Sequence, residues 1–225
     1  MTVIWEERAA RAAERFADGE ARILDDPDER QRQLTRMGNA AWAAGLSLLM
    51  AGRAEDARVW LVRAAETYRR SWEDAPPASW GRPIAALKSR LVAGDLDGAK
   101  EDARWALAAG SVEAESPIGR YAATLALLSL GDDAGAAELA NGLRGRDDFP
   151  PAVAAALAAL GAGDLEGYRA AIRALVADFE RRTEFLEDVR VADTVLALQA
   201  LARERGFDVE VDSPLLPRAA ARRSS

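Results

Sequence analysis

Two stretches, VAGDLDGA (Val92–Ala99) and GAGDLEGY (Gly161–Tyr168), are the same turn written twice, and this agreement decides how the chain is read. Two more versions occur: MAGRAEDA ending at Ala57 and SLGDDAGA ending at Ala136. Their glycines, Gly52, Gly94, Gly131 and Gly163, are spaced by 42, 37 and 32 residues. Five residues after each glycine stand Ala57, Ala99, Ala136 and Tyr168. Nine after stand Leu61, Ala103, Ala140 and Ile172, and twelve after, Ala64, Ala106, Leu143 and Leu175. Apolar positions at helical spacing behind a glycine describe a helix end, a tight turn and a second helix.

Upstream, the register holds in three units. Ser79, Ser116 and Asp148 lie fifteen residues before Gly94, Gly131 and Gly163, and Pro83, Pro117 and Pro150 follow them closely. Ser and Asp are good N-cap residues and proline suits a first helical turn, so each is expected to open a helix of about four turns. The first unit departs, with Met37 in the equivalent place and its helix expected to begin near Asp28.

The flanks complete the pattern. Thr2 to Leu24 carries Ile4, Ala12, Phe16 and Ile23 at helical spacing, so residues 1–27 are expected to form an N-terminal capping helix. Four helix pairs are expected over residues 28–182 and a C-terminal cap over 183–217. Within that cap, Asp188 to Gly206 reads as a helix, and Leu215 and Leu216 are expected to dock onto the last pair. Arg218–Ser225 reads as a frayed tail.

Composition agrees. Of 225 residues, 49% are apolar but only 6% aromatic, with abundant alanine, the best helix former. Alternating β-branched runs are missing, which makes the class all-α. No cysteine and no histidine are present, so disulfides, thiolate nucleophiles and imidazole chemistry are excluded. The net charge of −7 argues against a nucleic-acid partner, whose footprint would be basic. No apolar run reaches the roughly 18–20 residues of a membrane span, and the charged start Met1–Arg8 lacks a signal pattern. A cytoplasmic protein without a membrane partner is the expectation.

The turn G-D-x-x-x-A with small residues behind it resembles the tetratricopeptide-like helical repeats over residues 37–182. The resemblance implies a right-handed α-α superhelix of stacked helix pairs, a TPR-like solenoid of about ten helices. Spacings of 42 and 37 exceed that family's 34, and its consensus tryptophan and tyrosine are mostly missing. It also implies that the first helix of each pair lines a concave groove. Residues ten and six before each glycine would face that groove: Trp42 and Leu46, Ile84 and Lys88, Tyr121 and Leu125, Val153 and Leu157. The family's basic carboxylate clamp needs several cations there, and only Lys88 fits.

No catalytic motif emerges. Gly161–Gly167 is G-x-G-x-x-x-G with no strand before it, which the repeat explains as a turn. Asp25-Asp26, Asp132-Asp133, Asp147-Asp148 and Glu187-Asp188 fall where acids cap helices. Glu184, Glu187 and Asp188 are the residual candidates for a carboxylate site of an enzyme. No catalytic residue, metal ligand or cofactor is assigned.

All six tryptophans, Trp5, Trp42, Trp60, Trp72, Trp80 and Trp105, lie in the first half of the chain. Each is by default core, yet aromatics and arginine also anchor binding hot spots. The primary expectation is therefore a non-catalytic scaffold that binds a protein or peptide in an aromatic-lined N-terminal groove. Its contacts would be Trp42, Trp72, Trp80, Arg82, Lys88, Arg120 and Tyr121. The alternative is a small-molecule-sensing regulatory subunit with a pocket between repeats and the proline-rich corner Ser71–Ile84 as its lid. A homodimer is also open.

Overall fold

The computed structural model describes residues 2–207 and 209–218, so residues 219–225 of the expected tail lie outside them. Ten α-helices and one 3-10 turn follow in order: α1 (Thr2–Glu20), α2 (Pro27–Met50), α3 (Ala54–Trp72), α4 (Gly81–Val92), α5 (Leu96–Ala108), α6 (Pro117–Leu130), α7 (Asp133–Asn141), α8 (Pro151–Ala162), α9 (Leu165–Glu180), the 3-10 turn Leu186–Asp188, and α10 (Asp193–Arg203). No strand occurs among the described residues, and consecutive helices pack on one another from α1 to α9. No described helix is long and apolar enough to cross a membrane.

The turns behave as their sequence requires. Gly52, Gly94, Gly131 and Gly163 all have φ between 68° and 82°, the left-handed region that costs other residues about 1–2 kcal/mol. Behind three of them an aspartate starts the next helix: Asp95, Asp132 and Asp164 accept from Gly98, Gly135 and Gly167 amides at 3.2, 3.0 and 2.9 Å. In the first unit Arg53 takes that place without a side-chain cap.

Two of the three expected upstream caps differ. Ser116 does cap α6, accepting from the Gly119 amide at 3.1 Å. Ser79 instead donates to Pro76 O at 2.6 Å, and α4 starts after Trp80 without a side-chain cap. Asp148 is held by Arg146 at 2.8 Å, and Pro150 is the N-cap of α8. In both places a nearer partner captured the side chain. α1 also ends at Glu20 rather than near Leu24, and α10 begins five residues later than expected.

Small residues set the spacing. Gly161 lies so close to α7 that an added Cβ would stand 2.8 Å from Ala137 N and Asp133 O. α8 is apolar almost all round, as suits a helix covered on every side, and Ala156, Leu157 and Leu160 are fully buried. α4 contacts α6 and α6 contacts α8, so the first helices of the last three pairs form one row.

The core has two main parts. The larger spans α4 to α10 and includes Leu125, Leu157, Ile172 and Leu198. The smaller gathers Phe16, Met37, Trp42, Leu61 and Tyr68 from α1 to α3, joined by Val189 and Val191 from far along the chain. Leu215 and Leu216 are buried in the larger core; Ser213 Oγ donates to Glu180 at the end of α9 at 2.8 Å.

Candidate functional site

The inner face of the row is covered by the chain itself. After α9, residues 181–192 run back as a strap to the first helices, where Glu187 pairs with Arg15 of α1 and the 3-10 turn touches α2. The strap then returns and α10 lies against α4, α8 and α9. Twelve residues can reach at most about 40 Å, enough to span such an array. Val189 and Val191 enter the smaller core while Arg190 between them is exposed at the centre of a tight turn, in which Val191 N donates to Val189 O at 2.9 Å.

Where strap and α10 meet, polar groups from several elements converge. Lys88 Nζ of α4 pairs with Asp193 at 2.5 Å and donates to Thr194 Oγ1 at 2.9 Å. Both ion-pair side chains are 14% exposed. Tyr68 of α3 donates to Asn39 Oδ1 of α2 at 2.7 Å. Burial pushes its phenol well above the usual value, and the charges of Asp193 and Glu187 add to this. Tyr121 of α6 is also raised, first by burial and then by Asp193, with Thr194 opposing. Its hydroxyl lies buried beside Thr194, without a well-aligned hydrogen bond.

Magnitudes separate the strap from the helix it leads to. α10 buries Val195, Leu198 and Leu201 at 0–2% exposure, together worth about 5–9 kcal/mol, a large part of the stability of a typical domain. α10 is therefore fixed. The strap buries Val189 and Val191, worth about 3–6 kcal/mol, together with the small Ala192 and a half-buried Phe185. Against this stand Glu187 and Asp188, whose φ of 54° and 57° put two successive non-glycine residues in the left-handed region, at about 1–2 kcal/mol each. Arg8 donates to Asp188 O at 2.6 Å and Arg15 pairs with Glu187, contacts at the rim that add little each. The strap is held less firmly than α10.

A cleft of about 540 Å³ opens between α1 and the strap, with Arg8, Arg11, Arg15, Glu14 and Asp18 on the α1 side and Glu187 and Asp188 on the other. Arg11 is exposed there, and no ion pair is formed by it among the described residues.

The seven residues read from the sequence as partner contacts fall in three places. Lys88 and Tyr121 meet Asp193 and Thr194 as described, and Trp42 is 7% exposed in the same core as Val189 and Val191. Trp72 and Trp80 stack at the proline-rich corner, ring centroids 5.5 Å apart, and Trp105 meets Trp72 edge-on at 5.8 Å. Arg69 lies over the Trp105 ring at 5.3 Å, and Trp72 and Trp105 stay partly exposed. Arg82 is spent on the fold: it donates to Gln31 and to Ser71 Oγ at 3.0 Å, and desolvation lowers its pKa. Arg120 stands apart, its Nε 3.4 Å from Ala114 O.

The residual carboxylate candidates do not form one constellation. Glu184 is exposed, Glu187 is taken by Arg15, and Asp188 offers its carbonyl to Arg8. Among the described residues no three His, Cys, Asp or Glu gather as metal ligands would. Asp193, Thr194, Arg8 and Arg15 went unread in the sequence because they complete the site from opposite ends of the chain. The alternation Val189-Arg190-Val191 was the available signal that 189–191 is not helical. Compared with models of known protein families, with curated proteins and with solved structures, the chain matches none.

Proposed function

We propose that the chain is a non-catalytic, peptide- or protein-binding helical-repeat module of the tetratricopeptide-like kind, with the N-terminal inner face of α1 to α4 as its recognition surface. One observation carries this reading: that face already holds a peptide segment, the chain's own strap, with Val189 and Val191 in the same core as Trp42, Glu187 paired with Arg15 and the Asp188 carbonyl bound by Arg8. Short segments recognised by apolar pockets plus flanking charges are a recurring mode of peptide binding. The partly exposed Trp72–Trp105 pair with Arg69 offers anchors of hot-spot type on the adjoining corner.

A photo-crosslinking residue at Arg11, beside the cleft, should trap partner proteins from native extract. The same residue at exposed Arg173 on α9 should not. Equal trapping at both positions, or none at Arg11, defeats the reading.

The buried Tyr121 hydroxyl, beside Thr194 but without a well-aligned hydrogen bond, favours a second reading, a small-molecule-sensing subunit. A metabolite that raises the melting temperature of the isolated chain, and fails to do so in Tyr121→Phe, would support it over the first.

A further inference from the structure

We propose that the cavity between α5, the α6–α7 turn and the end of α10 binds a single zwitterionic α-amino acid with an aliphatic side chain. The site shares no lining residue with the cleft at α1, and it goes beyond the interaction reading, so the two stand or fall separately.

The cavity measures about 300 Å³, the small end of the range for ligand sites, which gives room for one amino acid rather than a peptide. Its apolar lining is mainly leucine. Leu96 and Leu130 are half-buried and still have surface to cover, and they join the buried Leu91, Leu128 and Leu201. Such a lining gains from an aliphatic group and offers no hydrogen bond to a polar side chain.

Arg205 fixes one wall. Its guanidinium donates to Leu128 O and Leu201 O, both at 2.8 Å, and pairs with Asp133. The ends of α6 and α10 and the start of α7 are thereby held around the cavity, and these two charges satisfy each other. One cation and one acid remain. Lys100 of α5 and Glu204, which closes α10, both line the cavity and both are exposed. Neither side chain forms an ion pair or hydrogen bond among the described residues, although each faces the same space as the other. Opposite charges that border one cavity without meeting leave a gap that a ligand carrying both signs can bridge. The ligand's ammonium group goes to Glu204, its carboxylate to Lys100 and its side chain to the leucines. A ligand with a single charge would leave the opposing side chain uncompensated, and a second charge of either sign would meet its like. Bound there, the amino acid ties α5 to the end of α10 and stabilises the folded chain by mass action.

The test is isothermal titration calorimetry of the full chain with L-leucine at pH 7, expected to show saturable binding with a Kd below about 1 mM. Two analogues divide the charges. Leucinamide lacks the carboxylate and 4-methylpentanoate lacks the ammonium group, and each should bind at least tenfold more weakly than leucine. Lys100→Gln and Glu204→Gln alter exposed side chains that hold nothing in the fold, so both variants should keep the wild-type melting temperature. Lys100→Gln should weaken leucine at least tenfold with no further loss for leucinamide. Glu204→Gln should weaken leucine as much, with no further loss for 4-methylpentanoate. Absence of leucine binding, wild-type affinity in both variants, or an analogue bound as tightly as leucine overturns the proposal. Hydrogen exchange gives the location: leucine should slow the amides of 96–101 and 200–206, and slowing confined to other segments overturns it too.

Discussion

Asp102 of α5 is 1% exposed and accepts from Arg69 at 3.1 Å and Arg90 at 3.2 Å, fixing α5 against α3 and α4. Burial raises its pKa, and the two guanidiniums only partly oppose that. The folded chain therefore holds this proton more tightly than the unfolded chain. The group's contribution is fully present below the unfolded value and is lost as pH rises through the higher folded one. Asp102→Asn should accordingly be less destabilising at pH 7 than at pH 4, read as the difference in urea midpoint from wild type at each pH. The opposite order would mean that the arginines outweigh burial. Lys88 makes the complementary case. Lys88→Met leaves Asp193, 14% exposed, without its cation, and should lower stability by about 1–3 kcal/mol in urea unfolding at an unchanged m-value.

At the scale of elements, glycines with different duties should respond differently. Gly131 closes α6 at φ 82° with open space around an added Cβ, so Gly131→Ala should cost about 1–2 kcal/mol, from backbone strain alone. Gly161→Ala drives a methyl into the α7 backbone and should cost about 1–3 kcal/mol, with the α7–α8 contact forced apart. Urea midpoints give both energies, and hydrogen exchange in α7 should quicken only in the second variant. The repeat turns were legible in the sequence because glycine and aspartate act within a few residues of themselves. Ser79 and Asp148 were not, because Pro76 O and Arg146 competed for them, and such competition depends on local geometry rather than residue type.

A stack of helix pairs alone would be stabilised mainly between neighbours and could melt in pieces. Here the strap joins the end of α9 to α1, and α10 binds α4 to α8 and α9, so distant units share contacts. Unfolding should therefore be one transition. All six tryptophans lie between residues 5 and 105, so their fluorescence follows the N-terminal half while far-ultraviolet circular dichroism follows every helix. The two curves should coincide in urea. In the Val189→Ala/Val191→Ala chain they should begin to separate, and coincidence there would mean that the strap does not couple the halves.

By itself the sequence determined the helices, the glycine–aspartate turns and the order in which pairs follow one another, because caps, left-handed glycines and helical spacing are short-range properties. Counting back from a turn glycine placed Lys88 and Tyr121 on the same face of their helices. What meets them there was decided only by tertiary structure. Asp193 and Thr194 lie 105 and 73 positions along the chain from Lys88 and Tyr121 respectively, and Glu187 lies 172 from Arg15. No local propensity encodes such pairings; they follow from where the larger apolar face of α10 finds cover, which carries the strap across α1 and α2 on its way.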